Sequence, residues 1–155
     1  MTTRGIQFLK QKRIAHEVIK YEHHEKGARF AAQAAGFPLA QTIKTLVVSL
    51  DANRFTLVLM PGDSELSMKK IAKACNAKRA AMADQASAAR VTGYLVGGIS
   101  PFGTKKRLPV ILEAALQNYQ EVMINAGQRG TMVKLAPSDI VRALNAKVAE
   151  LAHQT

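Results

Sequence analysis

The sequence predicts one α+β domain, a strongly curved, barrel-like mixed sheet of about seven strands with short helices packed outside it. Three observations carry that prediction. A length of 155 residues is enough to bury one core. Hydrophobic residues make up 48% of the chain and charged residues 21%, the balance of a globular protein and not of a disordered one. Short β-branched runs alternate irregularly with short amphipathic stretches and hairpin-length turns, which disfavours a doubly wound parallel sheet. No internal repeat, low-complexity stretch or Pro/Ser-rich linker interrupts residues 1–155, so no domain boundary is expected.

In chain order, Thr3 to Arg13 reads as an amphipathic helix with Ile6 and Leu9 on one face. Glu17 to Tyr21 alternates as a strand. Ala28 to Ala35 is alanine-rich and helical, stopped by Gly36 with Pro38 just beyond. Thr42 to Leu50 and Arg54 to Met60 are β-branched and apolar, joined as a hairpin through Asp51-Ala52-Asn53. Ser67 caps a helix running to about Cys75, a short strand follows at Arg79 to Met82, and Asp84 caps a small helix to Arg90. Pro109 to Glu113 and Glu121 to Asn125 are strands, and Ala126 to Gly130 turns the chain into another, Met132 to Leu135. Pro137, favoured in a first helical turn, opens a helix that ends near Asn145.

Charge sets the class of partner. The net charge is +11, and between Leu66 and Leu112 nine Lys/Arg face the single acid Asp84. Such a field favours a polyanion, with tRNA or another nucleic acid as the natural candidate. An anionic membrane surface is disfavoured, because no long basic amphipathic helix is present. The single cysteine, Cys75, excludes an internal disulfide and fits a reducing compartment. No apolar run approaches the roughly 20 residues that span a bilayer, and Ile6 to Leu9 is followed at once by Lys10 and Lys12, so a cytoplasmic protein is expected.

The densest signal is Gly93-Tyr94-Leu95-Val96-Gly97-Gly98-Ile99-Ser100-Pro101-Phe102-Gly103, followed by Thr104-Lys105-Lys106-Arg107. Paired glycines let a ligand approach the backbone and leave N–H groups pointing at it. The cations then form an anion-attracting lip, although a glycine-rich turn with a solvated basic tail fits the same spacing.

Self-sufficient catalytic machinery is missing. Ser100 lacks the second glycine of a nucleophile elbow, and Pro101 removes the N–H that would serve as oxyanion donor. Cys75 reads as a buried helical thiol, and His16, His23, His24 and His153 match no zinc spacing, so neither metal nor cofactor is expected. No Walker-type loop or dinucleotide fingerprint occurs.

Taken together, the glycine segment, Thr42-Ile43-Lys44-Thr45-Leu46-Val47-Val48, and Asn125-Ala126-Gly127-Gln128-Arg129-Gly130 with Ala136-Pro137-Ser138-Asp139 resemble the YbaK family of freestanding aminoacyl-tRNA editing domains. These are the bacterial Cys-tRNA(Pro) deacylases, similar to the insertion domain of prolyl-tRNA synthetases. The resemblance covers essentially the whole chain. It implies removal of a misattached amino acid from the 3′ end of tRNA, with prolyl-tRNA synthetase as a partner that confers tRNA identity. It also implies that the thiol of the misattached cysteine attacks its own ester, consistent with the missing nucleophile. Another mischarged substrate such as Ala-tRNA(Pro), or a non-catalytic tRNA- or synthetase-binding module, remains open.

The resemblance places catalytic roles on Lys44, Gly98 and Asp139, and substrate contacts on Tyr21, Gly97, Ile99, Ser100 and Pro101. Lys44 interrupts an apolar strand; inward it needs an anionic partner, outward it is merely solvated. The Gly97 and Gly98 amides are candidate donors to the ester oxygen or terminal adenosine. Asp139 is either a receiver for the substrate α-amino group or an acid suited to the first turn of a helix. Tyr21 is either a rim residue stacking on the terminal base or a half-buried core tyrosine. Lys105, Lys106 and Arg107 would bind acceptor-stem phosphates.

Overall fold

In the computed structural model, residues 2–51 and 53–153 are described. Ala52, the centre of the expected hairpin turn, lies outside the described residues.

Alternating residues of three apolar strands build the core. The strands are β2 (Ile43–Leu50), β3 (Arg54–Pro61) and β5 (Val110–Glu113). Ile43, Val47, Leu57, Leu59, Val110 and Leu112 point into one cluster, whereas Val48, Leu50, Val58, Met60 and Ile111 point into another. Both faces of this sheet are therefore covered, which is why its strands read as continuous apolar runs. β2 and β3 pair as an antiparallel hairpin from Ile43↔Pro61 to Leu50↔Arg54, and Asp51 and Asn53 take left-handed φ values of 48° and 63° beside the turn.

Five strands form the larger sheet, in the order β4 (Ala80–Met82), β2, β3, β5, β8 (Lys147–Ala149). β3–β5 and β5–β8 are parallel, the others antiparallel. A second sheet, in the order β1 (Glu17–Lys20), β7 (Thr131–Leu135), β6 (Val122–Gln128), is wholly antiparallel. Its inner residues Val122, Ile124, Val133 and Leu135 share the first core cluster.

The sheet is thus mixed, but the expected barrel is corrected to two open sheets. β4 takes the last three residues of β2, while among the described residues β6 is bridged to this edge only at Thr42, just ahead of β2, through one parallel bridge to Met123. Without a continuous seam along that edge, no barrel closes.

Among the described residues five α-helices surround the sheets: α1 (Arg4–Gln11), α2 (Ala28–Ala35), α3 (Met68–Ala74), α4 (Gln85–Thr92) and α5 (Pro137–Leu144). Thr3, Ser67 and Asp84 cap α1, α3 and α4 by accepting from N–H groups three residues on. α1 stops earlier than expected, because Arg13 turns left-handed at φ 57°. α2 ends at a left-handed Gly36 (φ 65°), as its sequence requires. No helix among the described residues is long and apolar enough to cross a membrane.

α1 is clamped to β6. Thr3 Oγ1 donates to Ala126 O at 2.5 Å while accepting from Ile6 N at 3.0 Å. Gly5 lies so close to the Ala126 carbonyl that a Cβ there would overlap it. Gly5→Ala should therefore lower stability by about 1–3 kcal/mol, read as a lower midpoint in urea unfolding; an unchanged midpoint would contradict this packing.

Candidate active site

A cleft of about 260 Å³ opens near the seam of the two sheets. Four segments supply its walls: Tyr21 just beyond β1 with the loop into α2, the start of β2 at Ile43-Lys44-Thr45, the glycine segment at Val96, Gly97 and Ile99, and β6–β7 at Asn125, Arg129, Gly130 and Met132.

The glycine segment is held at its base. Gly93 ends α4 at φ 78°, and the buried Tyr94 hydroxyl donates to the Phe102 carbonyl. Burial raises the Tyr94 pKa, although Arg4, 4.7 Å over its ring, opposes that shift. Between these anchors Gly97 adopts φ 94°, and its carbonyl accepts from Asn125 Nδ2 at 3.4 Å. The N–H groups of Gly97 and Ile99 have no intramolecular acceptor among the described residues.

Gly98 is a correction. Its N–H donates to Leu95 O at 2.9 Å, so it is not a free donor. A Cβ at Gly98 would stand 3.1 Å from Arg129 N and 3.2 Å from the Gln128 backbone. This glycine serves the close approach of the β6–β7 turn. Ser100 and Pro101 are also buried away from the cleft, with Ser100 Oγ accepting from Phe102 N at 3.1 Å.

Asn125 organises the opposite wall. Its Oδ1 accepts from Gly127 N (2.7 Å) and Gln128 N (3.1 Å), and its Nδ2 donates to Gln128 O at 3.2 Å as well as to Gly97. The bulge between Asn125 and Gln128 lengthens β6 through most of the expected turn and directs Arg129 toward Gly97.

Cations dominate the lining: Lys26, Lys44 and Arg129 stand against the one acid Glu25. Lys44 is half-buried and has no ion-pair partner among the described residues. The N-terminal end of α2 also faces the cleft, with Gly27 providing no side-chain cap. Its first backbone bond is Ala31 N to Gly27 O, so the preceding N–H groups are left to a ligand or water. Two buried side-chain atoms among the described residues lack any hydrogen-bond partner, Thr45 Oγ1 and Arg129 Nε. Both residues line this cleft.

Tyr21 lies at the rim, 6.1 Å from the Phe30 ring. Burial raises its pKa, with the Gly130 backbone and the Arg129 charge working against the shift, so the phenol stays protonated at neutral pH and can donate.

The remaining expected residues lie elsewhere. Asp139, in the first turn of α5, accepts from Arg142 at 2.6 Å and does not line the cleft. That pairing favours the helix-start reading over a substrate contact. Lys105, Lys106 and Arg107 are exposed and outside the cleft lining. Conversely, Arg129, Thr45 and Lys26 were not singled out from the sequence. Arg129 carried one signal, its place between Gly127 and Gly130 in a turn; the isolation of the Thr45 hydroxyl has none.

This architecture has close relatives. Residues 23–143 match the aminoacyl-tRNA editing domain. The chain belongs to that family. A protein of Enterococcus faecalis, provisionally named Cys-tRNA(Pro)/Cys-tRNA(Cys) deacylase EbsC, is 30% identical to this editing domain over 96% of this chain and 92% of its own. The multifunctional Ser/Thr-tRNA deacylase ProXp-y of Escherichia coli K12 is 26% identical over 90% of this chain and 85% of its own. A crystal structure described as a candidate trans-editing enzyme for prolyl-tRNA synthetase superposes with a TM-score of 0.89 at 25% identity, covering 97% of this chain and 96% of that one.

Gly97 tests the assembly of the editing domain's cleft. Gly97→Ala should cost about 1–2 kcal/mol for a left-handed alanine and push the Arg129 side chain, whose Cγ and Cδ lie 3.1 Å from the added carbon. The expected result is a lower unfolding midpoint together with a shifted Tyr21 titration by ultraviolet absorbance. An unmoved Tyr21 would show that Arg129 keeps its place.

Proposed function

We propose that this editing domain hydrolyses wrongly charged tRNA in trans, with Cys-tRNA(Pro) as its substrate and prolyl-tRNA synthetase as the partner that supplies tRNA identity. One observation carries the reading: Lys44 without an ion-pair partner, Arg129, and the residues Gly97 and Ile99, whose N–H groups lack an intramolecular acceptor among the described residues, all line one small cleft. Cations and N–H donors left without partners in a half-enclosed cleft suit an oxygen-rich, anionic ligand. The terminal adenosine of tRNA and its aminoacyl ester have that chemistry.

Neither serine nor cysteine lines the cleft among the described residues. That lining agrees with the mechanism the family resemblance implies, in which the substrate supplies the nucleophile. The cysteinyl sulfur attacks its own ester carbonyl; the S–C bond forms, the bond to the ribose oxygen breaks, and the thiol proton ends on that oxygen. Water then opens the resulting thiolactone to free cysteine. Lys44 and the N-terminal end of α2 meet the negative charge, and Gly97 and Ile99 N–H groups take the carbonyl oxygen. One such donor is typically worth about 3–4 kcal/mol, and holding sulfur against carbonyl adds the gain of an oriented intramolecular reaction. Tyr21 packs at the rim against the terminal base.

A second reading takes a misattached serine or threonine as the substrate. The similarity to ProXp-y supports it.

The deciding assay follows ester loss from labelled Cys-tRNA(Pro), Ala-tRNA(Pro) and Ser-tRNA. Cysteine should be released at least about 100-fold faster than alanine or serine; fast serine release would select the second reading. Lys44→Ala should lower kcat by about 100-fold, the scale of one lost oxyanion contact, with little change in tRNA affinity. Wild-type rates in that variant would remove Lys44 from the chemistry.

A further inference from the structure

None of the nine Lys/Arg between Leu66 and Leu112 lines the cleft, although that stretch holds the chain's largest charge excess. A second groove, of about 650 Å³, does use it. Arg107 lines this groove together with Arg54 and Lys147, and no carboxylate does. Arg90 adds a fourth cation at its edge, 5.8 Å over the Phe55 ring. The floor is apolar, formed in part by Phe55, Leu108 and Leu144.

Part of this charge serves the fold. Arg54 donates to Cys75 O at 3.2 Å and Lys147 to Ala74 O at 2.5 Å, where both cap the C-terminal end of α3, and Arg54 also lies 3.9 Å from Asp51. Arg107 has no such duty: its side chain is exposed and makes no hydrogen bond or ion pair among the described residues.

β2 links the two sites. Lys44 lines the cleft and Leu50 the groove, six residues along one strand, or about 20 Å. We propose that this groove is a second RNA-binding site, which holds the phosphodiester backbone of the tRNA whose 3′ end occupies the cleft. Arg107, Arg54 and Lys147 neutralise phosphates there, and the apolar floor packs against ribose or base. Cations on an apolar bed, with no lining acid, suit RNA backbone, which offers charge at every residue and flat apolar faces between. The proposal rests on the tRNA reading above and extends it beyond the cleft.

The test measures binding of uncharged tRNA to Arg107→Glu by fluorescence anisotropy across a salt series, so no chemistry is needed. The expected result is a Kd raised about tenfold or more, with the slope of log K against log salt reduced by about one. Arg107→Lys, which keeps the charge, should bind nearly as wild type, an outcome that a structural role for the guanidinium would not give. Release of cysteine from cysteinyl adenosine, too short to span from cleft to groove, should be unchanged in Arg107→Glu. If no ester is cleaved by any form but Arg107→Glu still weakens tRNA, the groove stands and the deacylase reading falls. An unaltered Kd and salt slope overturns the groove, as does wild-type protein that fails to bind tRNA at low salt. Loss of binding only to an acidic protein partner would likewise overturn the RNA assignment.

Discussion

The site depends on what one amide side chain does at the end of a strand. Asn125 accepts from two N–H groups of its own bulge and donates to two carbonyls, one of them Gly97 across the cleft. Those bonds tie β6–β7 to the glycine segment, two pieces of chain far apart in sequence. Arg129 is carried into place by the bulge and Gly97 by the tie, so the walls of the cleft are set by backbone geometry. Gly98 belongs to the same arrangement, because only a residue without Cβ lets the Gln128–Arg129 backbone come so near.

Against that frame, the chemistry of the cleft is economical. It presents charge and hydrogen-bond donors, with no serine or cysteine in its lining among the described residues. Such a site accelerates a reaction by holding its reactants and by stabilising charge as it develops. The editing-domain family fits that reading, since a cleft of this kind can act on an aminoacyl ester whose own side chain differs from the correct one by a reactive atom.

Lys44 shows how a strand position gains a function. Its neighbours Ile43 and Val47 enter one core and Val48 the other, yet Lys44 sits at the start of β2, at the edge of the cleft. There it escapes full burial but faces limited solvent, and among the described residues it has no ion-pair partner. The cleft and the basic groove are separate, with three cations lining each.

Local patterns in the sequence determined the mixed α+β class, the hairpin of β2 and β3, the caps of α1, α3 and α4, and the glycine stop of α2, because each depends on residues within a few positions of one another. The resemblance to the editing family, and not local pattern, pointed to Lys44, Tyr21 and Ile99, while the paired glycines marked Gly97; all four line the cleft. Tertiary structure alone decided the rest. β8 is three residues long and exists through its parallel pairing with β5, so no local period announces it. The open pair of sheets follows from how β4 and β6 divide one edge of β2, a long-range outcome. Asp139, Ser100 and Gly98 looked functional by position, but a nearby arginine, a neighbouring amide and an approaching backbone each claimed them first. Arg129 and Thr45 entered the site for the converse reason: whether a polar atom is left without a partner is a property of everything packed around it, and no stretch of chain contains that information.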